Sequence, residues 1–123
     1  MKRVTIKQAL EAIRQNGYPQ EFIDGYFNTG LRLLDEEQEF ERACAIGQGA
    51  VNLGVNAFQL GGLLKKVKYE DTNLYYYIVD MNDIKNKSLE EIMDSLPTLP
   101  EKDLRKWRNL GERKYKFVGL KDE

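Results

Sequence analysis

The chain has 123 residues, 41% of them hydrophobic and 32% charged, which suits one globular domain and leaves too little for two cores. With 19 Lys+Arg against 20 Asp+Glu the formal net charge is -1, so no global field draws the whole molecule onto nucleic acid or an anionic membrane. Histidine is absent and Cys44 is the single cysteine, which excludes an internal disulfide, a Cys/His zinc site and a Ser-His-Asp triad.

The first helix is marked by Thr5 as cap and Gln8 three residues on, with Ala9, Leu10 and Ile13 on its buried face. Asn16-Gly17 is its stop signal, and no apolar signal segment precedes it. Together with the lone thiol, this points to the reduced cytoplasm. Pro19 suits the first turn of a second helix, carrying Phe22, Ile23, Tyr26 and Phe27 as an apolar stripe. Leu31, Leu33 and Leu34 continue that pattern past Asn28-Thr29-Gly30, so the 19–53 region reads as one bent helix or as two.

Residues 35–53 read as the third helix, with Asp35, Glu36 and Glu37 at its N-terminus, where the backbone dipole favours negative charge. Phe40, Ala43, Cys44, Gly47, Ala50 and Val51 share one face, with Gly54 at the stop; the small residues there admit a close helix neighbour. Gln48 and Asn52 fall beside Glu41 and are expected in solvent. The uncharged run from Ala43 to Leu64 is 22 residues long, but five glycines and four side-chain amides make it a poor membrane span.

Residues 56–60 suggest a short helical turn. Lys66 to Tyr69 then alternates, Glu70 to Asn73 is turn chemistry, and Leu74 to Val79 is rich in aromatic and β-branched residues, so a hairpin is predicted here. Ser88 and Glu91 form a second capping box for a helix presenting Leu89, Ile92, Met93 and Leu96, closed by Pro97. Pro100 opens a further helix that carries Leu104 and Trp107 and stops near Gly111. Lys114 to Phe117 alternates and predicts a third strand with Tyr115 and Phe117 inward. The predicted class is α+β, one domain over residues 1–123: about three N-terminal helices, then a small antiparallel sheet (hairpin plus C-terminal strand) with two further short helices. Residues 119–123 are expected to fray.

Cys44-Ala45-Ile46-Gly47 in a helix, then Asn82-Asp83 ahead of Ser88, Glu91 and Ile92, resembles small proteins of bacteria and their phages that have no assigned activity. The resemblance covers about a third of the chain, and Met81 stands where an aromatic often precedes the Asn-Asp pair. It implies an accessory protein and no chemistry.

Three places could carry function. Cys44 has no histidine to form thiolate and lies on an apolar face, so a buried structural thiol is expected. Asp80 and Asp83 could contribute to a hard-cation site but supply too few ligands, and turn chemistry is the favoured reading. Seven bases face two acids between Lys102 and Val118. Arg105, Lys106, Trp107, Arg108, Arg113, Lys114, Tyr115 and Lys116 therefore mix cations with aromatics, as phosphate contacts and base stacking require. Against that stands a core role for Trp107, Tyr115 and Phe117 with the cations as their solvated flank, and alternation favours it. The expected function is binding through a protein surface, with nucleic-acid binding by this basic segment second and a carboxylate- or metal-dependent enzyme third. No cofactor and no membrane partner are implied. A homo-oligomer is compatible with the sequence, though no feature supports it.

Overall fold

The computed structural model describes residues 1–14, 20, 22, 39–40 and 42–117. The helical stripe of Ile23, Tyr26 and Phe27, the Asn16-Gly17 stop, the acidic Asp35–Glu37 and the C-terminal tail lie outside the described residues. Strand β1 (Lys2–Thr5) runs straight into α1 (Ile6–Glu11), and Thr5 serves both as the last strand residue and as the N-cap. Its hydroxyl accepts from Gln8 N–H at 3.1 Å while the Gln8 side chain accepts from Thr5 N–H at 2.9 Å, the capping box read from the sequence. Such a cap contributes about 1 kcal/mol.

The third helix is shorter than its pattern suggests. Glu39–Phe40 form strand β2, and α2 covers Ala45–Leu53 with Cys44 at its N-cap position. Residues 45–50 of α2 are all buried, so the helix is surrounded by neighbours: α1, α3 (Ala57–Leu64) and α4 (Leu74–Val79) all contact it. Small side chains make that possible. Gly54 ends α2 at φ 68°, a left-handed conformation that favours glycine. Gln48 and Asn52, expected in solvent, both bond to backbone, Gln48 from a buried position and Asn52 from a half-buried one. Gln48 is fully buried and donates to Ala43 O at 3.2 Å; Asn52 donates to Ala12 O at 2.8 Å and Arg14 O at 3.2 Å. Where α2 is enclosed, at Gln48, there is no solvent face for an amide, so its N–H is tied to a backbone carbonyl. Asn52 joins the partly exposed last turn to the chain after α1.

Helix α3 continues through Gly61-Gly62, capped by Asn56, whose Oδ1 accepts from Phe58 N–H at 2.9 Å and Gln59 N–H at 3.1 Å. The predicted hairpin shrinks to β3 (Lys68–Tyr69) against β4 (Thr72–Asn73), and the strand expected over 74–79 is helix α4. Asn73 Oδ1 caps it by accepting from Tyr76 N–H at 3.0 Å. Leu74, Tyr75, Ile78 and Val79 are its buried residues, a spacing that serves helical burial and overrides their β-propensity. The chain then widens into a π-helical segment, Asp80–Ile84.

Helix α5 (Leu89–Ser95) has the predicted Ser88–Glu91 capping box. Helix α6 (Glu101–Arg105) ends before Trp107, which lies instead in β5 (Trp107–Leu110). Strand β5 pairs antiparallel with β1, Lys2 opposite Leu110 and Thr5 opposite Trp107. The C-terminal strand exists as β6 (Lys116–Phe117), but it pairs in parallel with β2 and not with the hairpin. The fold is therefore α+β, with helices packed on one core and, among the described residues, three two-stranded ribbons. Ile6, Ile13, Ile46, Leu60, Leu63, Leu64, Leu74, Ile78, Leu89, Ile92 and Leu110 are almost completely buried, each contributing about 1.5–3 kcal/mol relative to exposure.

The adjacent glycines of α3 differ sharply. A Cβ on Gly61 would stand 2.8 Å from Tyr75 Cε1, whereas one on Gly62 would meet only Arg108 Nη1 at 3.8 Å. Gly61→Ala should therefore destabilise by about 1–3 kcal/mol through overpacking. Gly62→Ala should be neutral or stabilise by up to about 1 kcal/mol from helix propensity. Urea unfolding of the two variants checks this; equal shifts would contradict the packing of α3 on Tyr75.

Candidate functional site

The Cys44–Gly47 and Asn82–Asp83 segments meet inside the protein. Asn82, 1% exposed, places its Oδ1 to accept from Ala45 N–H at 3.1 Å and from Gln20 Nε2 at 2.6 Å. Its Nδ2 donates to Asp83 Oδ1 at 2.6 Å, and Gln20 also donates to Lys87 O at 2.9 Å. Asn82 thus satisfies an amide at the N-terminus of α2 from 37 residues away. Widening the backbone at 80–84 turns both Asn82 and Asp83 inward. Cys44 lies beside this knot, 3% exposed. Burial pushes its thiol from 9.0 up to about 12, opposed by the Gly47 N–H and reinforced by the Asp83 charge. The expected structural role of Cys44 agrees with that environment, because a protonated buried thiol is no nucleophile. Asp80 and Asp83 have separate attachments: Asp80 pairs with Lys85 at 3.7 Å and Asp83 with Asn82. Among the described residues no group of three or more Cys, Asp or Glu side chains could hold a metal ion.

The basic segment divides. In the β1–β5 ribbon, side chains alternate between two faces, and directly paired residues share one. Val4 and Leu110 are buried and define the inner face, with Lys2 and Arg108 beside them; Arg3, Thr5, Trp107 and Asn109 form the outer face. Trp107 is 42% exposed, which corrects its assignment to a helix and to the core. The strand forms because pairing to β1 satisfies the backbone there, and the pleat then turns the indole outward. The Arg3 guanidinium lies 3.8 Å from the ring centroid, a cation–π contact across the strand diagonal.

Lys106 precedes β5 and is exposed, its carbonyl accepting from Ile6 N–H at 2.9 Å. Arg105 is paired within α6 to Glu101. Arg108 extends from the ribbon edge across α3 at Gly62. Arg113 and Lys114 sit farther along, lining a cleft with Lys2, Leu53, Gly54 and Glu112; Lys2 Nζ there donates to Leu53 O at 2.5 Å. Tyr115 has a structural role, donating to Val55 O, and burial raises its phenol to about 12. Lys116 belongs to β6, and its side chain lies outside the described residues. Sequence reasoning missed Lys2 and Arg3; the alternating Lys-Arg-Val-Thr stretch signals a strand but not its partner.

Comparison with protein-family models, with characterised proteins and with solved structures finds no match for this chain. Among the described residues no helix is long and apolar enough to cross a membrane.

Two tests follow from the knot. Asn82→Ala removes the acceptor of Ala45 N–H and should cost at least about 1–3 kcal/mol in urea unfolding. A neutral result would show that this amide does not cap α2. The Cys44 pKa is raised on folding, so its stabilising contribution is complete below the unfolded value and is lost as pH rises from 9.0 towards about 12. Unfolding free energy should fall with pH from about 9 by up to about 1.4 kcal/mol per unit, and Cys44→Ala should flatten that limb before Tyr115 begins to titrate. An unchanged limb would place the thiol in solvent.

Proposed function

We propose that this protein binds single-stranded nucleic acid through the outer face of the β1–β5 ribbon. The observation that carries this reading is the exposed Trp107 stacked with Arg3. An indole on a solvent-facing sheet offers a surface on which any base can stack, and a guanidinium plane can extend the stack. Lys106, exposed just before β5, supplies charge for phosphates beside the tryptophan. Arg108, exposed where it passes from the ribbon edge to α3, supplies it for the strand leaving that face. Bases in a duplex already stack on their neighbours, so a single strand is the form that can use such a platform.

A core Trp107 would have favoured a protein-binding surface, the first expectation from sequence. Its exposure reorders the two. The same Trp–Arg pair would also suit a protein partner, since both residues are frequent interface anchors. Affinity should be moderate, because the net charge of -1 gives no long-range attraction. Two cations contacting phosphates, Lys106 and Arg108, imply a slope of about -1.4 in log affinity against log salt for a single strand.

Fluorescence-anisotropy titration with labelled oligonucleotides tests the proposal. Trp107→Ala should lose about 1–3 kcal/mol of binding, the usual worth of one stacked base, while costing less stability than the about 3–5 kcal/mol of a core tryptophan. A Lys106→Glu/Arg108→Glu variant should keep its fold and flatten the salt slope. Salt-independent binding, or full affinity without Trp107, would reject nucleic acid as the ligand and leave a protein partner as the reading.

A further inference from the structure

The most exposed ring among the described residues belongs neither to the ribbon nor to the basic C-terminal segment. Phe58, in the first turn of α3, is 65% exposed. The buried side of α3 is formed by Ala57, Leu60, Gly61, Leu63 and Leu64. At helical spacing its opposite side carries Phe58 and Gly62, and Lys65 and Lys66 follow directly at its C-terminal end. No Asp or Glu occurs between Ala57 and Lys66. The backbone under Phe58 is fixed by the Asn56 cap, so the ring is displayed from a rigid position. One turn later Gly62 leaves room above the helix, and the Arg108 guanidinium from β5 reaches it. Lys65 is turned to the tyrosines, 4.6 Å from the Tyr75 ring centroid, while Lys66 is exposed. Strand β5 and α3 are in contact, so Arg108 joins the Trp107 ribbon to the Phe58 helix face.

We infer that Phe58 is a second base-stacking site, and that one nucleic-acid strand passes from Trp107 over Arg108 to α3. The inference rests on the single-strand reading above and adds the path and minimum length of the ligand. A large apolar ring bordered by cations, on a helix face without carboxylates, complements bases joined by phosphates. Arg108, next to Trp107 in sequence and reaching Gly62 one turn from Phe58, lies on that path, where the phosphates of the nucleotides between the two stacked bases would pass. A dinucleotide can then occupy only part of the surface, whereas an octamer can engage both rings.

The test uses the full chain with a labelled thymidine dinucleotide and octamer. Phe58→Ala should keep the melting temperature, because the ring is largely in solvent, and should bind the dinucleotide as the parent does. Its octamer affinity should fall about tenfold, the loss expected of one stacking contact. Gly62→Glu, which sets a carboxylate against Arg108, should weaken the octamer in the same way. Trp107→Ala is the control that separates the two claims. If it loses affinity while Phe58→Ala matches the parent on both ligands, the second platform is wrong and the ribbon proposal stands. If the parent binds neither oligonucleotide, both fall. Binding to phosphatidylserine vesicles that requires Phe58, with octamer affinity unaffected by its loss, would overturn the inference in favour of an anionic membrane surface.

Discussion

The pairing of Lys2–Thr5 with Trp107–Leu110 is the constraint on which the remaining surface depends. It buries Val4 and Leu110 against the helices, and through Thr5 it sets where α1 begins. The hydrogen bond from Ile6 N–H to Lys106 O extends the join by one residue, so the end of α6 is fixed against the start of α1. Side-chain alternation follows from the register and not from local preference. A slip by one residue would turn Trp107 inward and Arg108 outward, exchanging the two arrangements that the sequence left in competition.

A second constraint operates from within. Helix α2 is buried throughout its first six residues, so its terminal N–H groups cannot all turn to water. Asn82 supplies an oxygen to one of them, and its position depends on the π-helical widening of the preceding segment. The Asn-Asp pair therefore acts as a joint between the start of α2 and the end of α4. A neutral amide suits this place better than a carboxylate would, since it accepts from Ala45 and Gln20 and still donates to Asp83.

Features settled by neighbours in sequence were legible from it. The Thr5–Gln8 and Ser88–Glu91 capping boxes, the Gly54 stop and the buried Cys44 are determined within one or two helical turns. Leu74–Val79 was not, because a run of aromatic and aliphatic residues satisfies a period of 2 and a period of 3.6 equally. Tertiary burial of Leu74, Tyr75, Ile78 and Val79 decides it. Trp107 was misplaced for a similar reason: its structure is decided by a partner strand about a hundred residues earlier, which no local pattern around Pro100 reveals. The C-terminal cations of the candidate site could be read as a group, but Arg3 and Phe58 join them only through tertiary contacts.

Bringing the two strands of the ribbon together also sets the order in which the protein can be completed. Closing a loop of about a hundred residues costs on the order of 4 kcal/mol in chain entropy. That cost is met only when Val4 and Leu110 can be buried together. On a ribosome, residues 2–5 emerge about a hundred residues before their partner strand and wait for it. The helices can collapse in the meantime, drawing on contacts closer in sequence. The platform carrying Arg3 and Trp107 is consequently among the last parts to form, and a chain halted before residue 107 would hold much of the core but none of that surface.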